Sequence, residues 1–422
     1  WVQILAGAPN MTKKNSINYI TVILLLSIIA RCFAALFFAD EDLVNEWAIL
    51  IHNLEFSGIL GYNVITTELN VMPKFVEAGE TVLPSVFMPP LYAYFIYFIK
   101  ILFIDSVNYI KAIISVQILL SLITIFVFYR ILNNFYDTKI TFISTIIFSL
   151  FPLNVYSSVQ ISSISLQLFL LVFYFLFILK YFNTFKFKYL ILFSIFSGLL
   201  ILIRGEFIIF YVFTLGYFFI FLKKDFKSIL VSLIISIIVI SPYLKRNYEH
   251  FDKYFLLTKS FGYNLLKGNN PETKVEGYVN LKNHQFTNKL TTKLNNSYEI
   301  DLDNFYKEEA FRYIKANPMM YFKLYILKIF SFIFLDLNST YPNYYNISHL
   351  FPKIILSVLS LIGAVVFLFK KSFFQYLSLY YFSNILLFSL FFILPRYSLI
   401  LLPIQMLLSI EALKFLRSKL IN

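Results

Sequence analysis

The sequence predicts an all-α polytopic membrane protein, and three observations carry that expectation. Of its 422 residues, 59% are hydrophobic and only 14% are charged, whereas soluble domains carry roughly 25% charged residues. Stretches long enough to cross a hydrocarbon core, which takes about 20 apolar residues, recur along the whole chain. These stretches are continuous and do not alternate. Inside a bilayer only helices and closed barrels satisfy the backbone's polar groups, and barrel strands alternate in hydropathy. The helical solution remains.

Apolar spans fall at about 17–39, 89–104, 108–131, 139–157, 162–182, 187–203, 205–222, 227–244, 319–338, 350–369, 373–394 and 397–416, each judged by its length against the bilayer. Ten to thirteen crossings are expected. Two regions resist simple alternation from a cytoplasmic N-terminus. The basic ends at Arg130 and Lys139 ask for an inside loop after the short 89–104 span, and the same conflict recurs between 319 and 370, so one segment in each region is expected to be interfacial or re-entrant. Residues 1–10 precede Met11 and read as a non-native or upstream leader. From there we divide the chain into an N-terminal transmembrane module (11–244), a large extracytoplasmic loop (245–318) and C-terminal transmembrane helices (319–422).

The net charge of +13 does not ask for nucleic acid. Basic residues flank the apolar spans (Lys13–Lys14, Lys223–Lys224, Lys370–Lys371, Arg417 and Lys419), as cytoplasmic loop ends do. A single cysteine, Cys32, lies inside the first span and excludes an intrachain disulfide and a Cys-based zinc site. Two hydrophilic segments stand out. The first outer loop, 40–88, is expected to carry interfacial helices. The second, 245–318, holds 21 of the 59 charged residues. Counting crossings from an inside N-terminus places both on the outer face.

Chemistry-bearing residues gather in these loops and at span ends. Asp40, Glu41 and Asp42 follow the first span, with Glu46 and Trp47 close behind. Three carboxylates at a membrane surface suit a divalent metal ion or a general base, and equally a solvated helix end. Pro89–Pro90–Leu91–Tyr92 begins the next span. Arg204–Gly205–Glu206 separates two apolar spans, where an ionisable pair is costly unless it is paired or functional. Loop two opens with Pro242–Tyr243–Leu244–Lys245–Arg246–Asn247–Tyr248. It continues with Gly262–Tyr263–Asn264–Leu265–Leu266–Lys267–Gly268–Asn269–Asn270–Pro271, a turn-rich run whose backbone amides suit an anion or a sugar. Arg246 offers a planar fork for phosphate. Asn317–Pro318 precedes a helix bearing Lys323 and Lys328, and Pro395–Arg396–Tyr397 heads the last span.

These pieces, in this order, resemble the C-type superfamily of membrane glycosyltransferases, above all the bacterial members related to protein O-mannosyltransferases and aminoarabinose–lipid A transferases. The resemblance spans nearly the whole chain from about residue 20, with the Arg246–Asn247–Tyr248 to Gly268–Asn269–Asn270–Pro271 stretch its most specific part. It implies a multi-pass enzyme of the bacterial cytoplasmic membrane with its site on the extracytoplasmic face. It implies a polyprenyl-phosphate sugar as donor, a glycan, lipid or protein acceptor, and inversion at the anomeric carbon. By spacing to Trp47 and Leu54, Asp42 best fits the family's base, then Asp40, then Glu41. Arg204, Arg246, Arg396 and Lys267 are the expected phosphate contacts. Glu206, Asn247, Asn264, Asn269, Asn270, Tyr397 and Tyr92 are expected to line the sugar or acceptor site. No cofactor is certain and a divalent metal stays open: Glu77, Glu80 and His250 do not match the family's metal pattern, and serines stand at 162, 163 and 165, where relatives often carry an acidic residue. A transporter or lipid-linked-sugar flippase and a polysaccharide polymerase or ligase are the alternatives. A transporter should hold ionisable groups near the midplane on broken helices, whereas here they concentrate in the loops and at span ends.

Overall fold

The computed structural model describes residues 13–43, 45–67, 70–74, 82–103, 109–222, 226–255, 258–280, 297–342, 344–370 and 372–421. The 1–10 segment and the positions Glu77 and Glu80 lie outside them. The helices are α1 (Lys13–Phe38), α2 (Asn45–Ser57), α3 (Pro90–Leu102), α4 (Tyr109–Leu132), α5 (Thr138–Ser149), α6 (Pro152–Ser157), α7 (Ile164–Thr184), α8 (Phe187–Ile203), α9 (Phe207–Ile220) and α10 (Phe226–Phe251). There follow α11 (Phe261–Gly268), α12 (Tyr298–Ala316), α13 (Pro318–Ile333), α14 (Ile347–Phe367), α15 (Phe373–Phe388), α16 (Pro395–Ile400) and α17 (Leu402–Ile421). Five of them, α1 from Tyr19, α4, α7, α10 and α14, are long and apolar enough to cross a membrane unaided. The architecture is that of an all-helical membrane protein, as expected.

One feature of the first loop escaped the sequence. After α2, strands β1 (Gly61–Thr67), β2 (Asn70–Lys74) and β3 (Leu83–Pro84) form a small antiparallel sheet in the order β2-β1-β3. Its register pairs Asn63 with Lys74 and Tyr62 with Leu83.

Side-chain contacts trace the direction of each helix. The C-terminal end of α1 meets the turn after α6, where the Asp40 amide donates to Val159 O. Two turns lower, Arg31 donates to Ser121 on α4 and to Ser149 O at the end of α5. Gln117, one turn before Ser121, reaches Gln160 O. Thus α4 starts at the end where α1 finishes, the loop end, and runs back to the far end. There Tyr136, just beyond α4, donates to Leu407 O and lies under the Lys414 ammonium. Likewise α7 and α9 descend to the far end, where Tyr217 meets Ser372 O and Gln375. Helices α8, α10 and α15 return.

The two segments that broke the alternation do not cross. Lys100, near the end of α3, pairs with Glu55 of α2 at 2.5 Å and sits over the Tyr109 ring at the start of α4. Tyr92, near its start, donates to Gln117. Both ends of α3 therefore stay at the loop end. On α13, Tyr325 donates to Leu386 O and Phe332 stacks on Phe388, both at the loop end of α15. The turn that follows returns to the loop-two residue Glu276 through Ser339 and Thr340. With α3 and α13 set aside, α1, α4, α5 with α6, α7, α8, α9, α10, α14, α15 and α17 make ten passes among the described residues. The chain enters and leaves at the far end, so the basic ends Arg130, Lys139, Lys370 and Lys419 share one side.

Helix breaks follow local chemistry. Pro152 has no N–H and starts α6 afresh after Ser149. Pro242 lies inside α10 and leaves the Ile238 carbonyl without its usual donor; the Ser241 hydroxyl supplies one at 2.8 Å.

Single cysteines in a Cys32→Ala background test this topology. Ser57→Cys, Phe103→Cys and Asn338→Cys should react with an impermeant maleimide from one side of sealed vesicles, and Thr184→Cys and Ser418→Cys only from the other. Labelling of Phe103→Cys with the second group would make α3 a crossing.

Candidate active site

The site lies where the two loops and the turn after α15 meet. Loop one is clamped onto loop two through main-chain groups. Arg246 donates through Nη1 to Ser85 O at 2.8 Å and through Nη2 to Leu60 O at 2.5 Å, and its side chain also reaches Asn247 Oδ1. Lys259 N donates to Val86 O, and Val86 N donates to Glu299 Oε2 at 2.7 Å. Glu299 is fully buried, and burial raises its carboxyl pKa despite the pull of the Val86 amide, Ser85, Tyr298 and Arg246.

The Gly262 to Pro271 run positions α11. A side chain at Gly262 would meet Asp303 O of α12 at 1.9 Å, and one at Gly268 would meet Phe391 O at 2.1 Å. Glycine is needed at both because backbones approach that closely. Asn269 donates to Leu265 O and Leu390 O while its Oδ1 accepts from Lys328. Asn270 donates to Leu266 O and Tyr278 O, and its Oδ1 accepts from Glu272 N. These amides are fully engaged within the protein. They lock α11 against the turn after α15, which aims Lys267 at the site.

Three cations converge there. The Lys267 ammonium sits 4.7 Å from the centre of the Phe392 ring. The Arg204 guanidinium lies over the Tyr397 and Phe388 rings at 5.2 and 5.9 Å and pairs with Glu206 at 2.8 Å. Arg396 lies over the Tyr397 ring at 5.9 Å. Tyr397 stacks on Phe388 and contacts Phe392, so an aromatic floor carries all three charges. Partial burial lowers the Lys267 pKa, the Arg396 charge lowers it further, and Glu46 acts against both. A cation held near its like and short of counter-charge is a ready anion receptor.

The carboxylates of the first loop separate. Asp40 is held: its amide donates to Val159 O, its Oδ2 accepts from Ile161 N at 2.6 Å, and Gln160 donates to Phe38 O. Tyr92 stands beside it through Gln117, which bridges Tyr92 to Gln160 O, with Trp47 edge-on to the Tyr92 ring at 4.9 Å. Glu41 and Asp42 are exposed. Among the described residues, no group of three or more His, Cys, Asp or Glu side chains is set to hold a metal ion.

The structure therefore gathers Arg204, Arg396, Lys267, Glu206 and Tyr397, and fixes Asp40 with Tyr92 nearby. Arg246 and Asn247 serve the loop clamp instead, the latter donating to Phe255 O. Asn264 is half-buried on α11, where its amide donates to Ser260 O. Sequence reasoning passed over three residues. Glu46 lies near enough to Lys267 for its charge to raise the ammonium's pKa. Gln117 and Arg31 lie in apolar spans, and the one available signal was a polar residue inside a span.

The family model described as dolichyl-phosphate-mannose-protein mannosyltransferase matches residues 88–245, from just before α3 through Arg204 and Glu206 to Lys245 within α10. The oligosaccharyltransferase of Archaeoglobus fulgidus in its apo form superposes with a TM-score of 0.54 at 13% identity, covering 97% of this chain and 51% of that one. Its complex with Zn and sulfate gives 0.54 at 13%, covering 95% and 49%. The form tethered to an acceptor peptide containing the NVT sequon gives 0.52 at 14%, covering 97% and 50%. The chain shares its fold with that oligosaccharyltransferase. No curated protein matches the sequence. The chain spans about half the length of the oligosaccharyltransferase, and the shared fold takes in nearly all of this chain.

The clamp yields a stability prediction. A carboxyl raised by burial holds its proton in the native state while the unfolded chain releases it. Its contribution is thus complete below the unfolded value, about 4.3, and is lost as pH rises through the folded value. Glu299→Gln should flatten that part of the stability–pH curve and keep the Val86 contact. Glu299→Ala should cost about 1–3 kcal/mol by leaving the Val86 amide unpaired. Thermal unfolding in detergent across pH checks both; an unchanged curve for Glu299→Gln would contradict the assignment.

Proposed function

We propose that this chain is a membrane glycosyltransferase that moves a sugar from a polyprenyl-phosphate donor to an acceptor hydroxyl, with Asp40 as general base. The observation that carries the reading is the gathering of Lys267, Arg204 and Arg396 on one aromatic floor at the same end of the bundle as the held carboxylate of Asp40. The match of residues 88–245 to a mannosyltransferase family supports it.

In this reading the Asp40 carboxylate takes the proton of the acceptor hydroxyl as the oxygen attacks the anomeric carbon. The bond from that carbon to the phosphate oxygen breaks with its electrons, and the polyprenyl phosphate departs with an added negative charge. Lys267, Arg204 and Arg396 receive that charge through charge-assisted bonds, which count most where charge develops in the transition state. Attack opposite the leaving group inverts the carbon. Geometry favours Asp40 over Asp42, reversing the order that spacing to Trp47 suggests: a base must be held within reach of its proton, and Asp40 is tied to Ile161 N while Asp42 stands exposed.

The far end carries Arg130, Lys139, Lys186, Lys188, Lys370 and Lys419, which under the positive-inside rule makes it cytoplasmic and turns the site outward. The donor sugar, the acceptor and the lipid length follow from pocket shape and are matters for assay with a panel of polyprenyl-phosphate sugars.

Replacement of Asp40 by Asn should lower transfer from the donor accepted in that panel by about 10²–10⁴-fold, whereas Asp42→Asn should stay near wild type. Arg396→Gln and Lys267→Met should each cost on the order of 10²–10³-fold in kcat. Wild-type turnover by Asp40→Asn would remove it as the base, and an inactive Asp42→Asn would restore the order suggested by spacing.

A further inference from the structure

Arg31 is buried in the molecule, and among the described residues no carboxylate pairs with it. It lies in α1, a candidate membrane span, at 0% exposure. An arginine there is costly unless it has work to do. Its Nε donates to Ser121 Oγ of α4 at 2.9 Å, and its Nη1 to Ser149 O of α5 at 3.1 Å and to Ser27 O of its own helix at 3.3 Å. Nη2 is buried without a hydrogen-bond partner.

Its targets explain its presence. Helix α5 ends at Ser149 and α6 begins at Pro152, so the last carbonyls of α5 lose their helical donors inside the bundle. Asn154 supplies one to Phe148 O at 2.9 Å. Arg31 supplies the other, and its charge also suits the negative end of the α5 dipole. The chain then runs through α6 to Val159, Gln160 and Ile161, which hold Phe38 and Asp40. The segment from 149 to 161 is thereby laced to α1 twice, at Arg31 and, nine residues on, at Asp40.

We propose that Arg31 is a positioning residue: by fixing the α5–α6 break to α1 it sets the 159–161 turn that holds the Asp40 carboxylate. This rests on the reading of Asp40 as the base. It assigns work to a charged group that touches neither the cation cluster nor the loops.

The test has one arm that needs no substrate. In a Cys32→Ala background, Ala39→Cys and Gln160→Cys are joined with a short bifunctional maleimide in the full-length protein, and the rate is compared with Arg31 intact and with Arg31→Met. Cross-linking about tenfold slower in folded Arg31→Met, largely restored by Arg31→Lys, is the expected result; folded Arg31→Met cross-linking at the wild-type rate overturns the proposal. The second arm follows transfer from polyprenyl-phosphate mannose, or from whichever polyprenyl-phosphate sugar the panel identifies. Arg31→Met should lower kcat by on the order of a hundredfold, the scale of a misplaced catalytic group, with KM for the donor nearly unchanged. If Arg31→Met does not fold, Ser121→Ala and Arg31→Gln decide: wild-type cross-linking and kcat in both overturn the proposal. Asp40→Asn separates the two ideas. Full transfer by Asp40→Asn sinks the base assignment while the cross-linking rates still judge the link from Arg31 to the turn.

Discussion

Every backbone carbonyl and amide inside the bundle needs a partner, because lipid offers none. That constraint decides where this chain can be irregular. Regular helix is self-sufficient, so most of each pass is apolar and featureless. Where a helix stops inside the bundle, a side chain must complete it: Asn154 and Arg31 at the α5–α6 break, Ser241 at Pro242. The break between α8 and α9 differs, since Arg204 stands where the two helices meet and is half out at the loop end, over aromatic rings. The interruptions near the loop end are the same places that carry the candidate chemistry. A position that has already given up helical regularity has polar groups to direct elsewhere.

The same constraint explains which parts of the architecture were legible. Hydropathy alone gives the helical class and most spans, since each apolar run of sufficient length has one low-energy fate in a bilayer. It does not distinguish a crossing from a helix that lies on the surface. α3 and α13 are apolar enough to be read as spans, and contacts such as Lys100 with Glu55, and the return of the turn after α13 to Glu276, keep their ends at one side. The failed alternation of basic residues was the visible trace of this, and it fell in the right two regions. The β1–β3 sheet left no comparable trace, because a short sheet in a polar loop needs no hydropathy signature.

Within the site, residue type was legible and role was not. Arg204, Lys267 and Arg396 are legible as cations beside a membrane, and they meet on one aromatic floor. Arg246 reads the same way in the sequence, yet its guanidinium is consumed by Ser85 O and Leu60 O. Nothing in one dimension separates an arginine that meets a ligand from one that meets carbonyls of a distant loop. The run from Gly262 to Pro271 carried the strongest resemblance, but Gly262, Gly268, Asn269 and Asn270 are spent on packing and internal bonds. Only Lys267 faces the site. Such a motif is specific because close backbone approach tolerates few residues, not because each member touches a substrate.

The clamp joins the two loops through main-chain atoms of loop one, Leu60, Ser85 and Val86, and through Arg246 and Glu299 of loop two. Main-chain acceptors fix position without reading side chains, so loop one is held in place whatever surface it presents. The cation cluster, by contrast, draws on the α8–α9 turn, α11 and α16, elements set by the bundle and by Gly268 against Phe391. The cationic half of the candidate site is therefore built on the helical bundle. The half formed by Asp40, Glu46 and Trp47 hangs between α1, the 159–161 turn and a loop secured by its backbone. Under the proposed reading, a fold divided in this way keeps one anionic leaving group while the surface beside Asp40 changes to suit different acceptors.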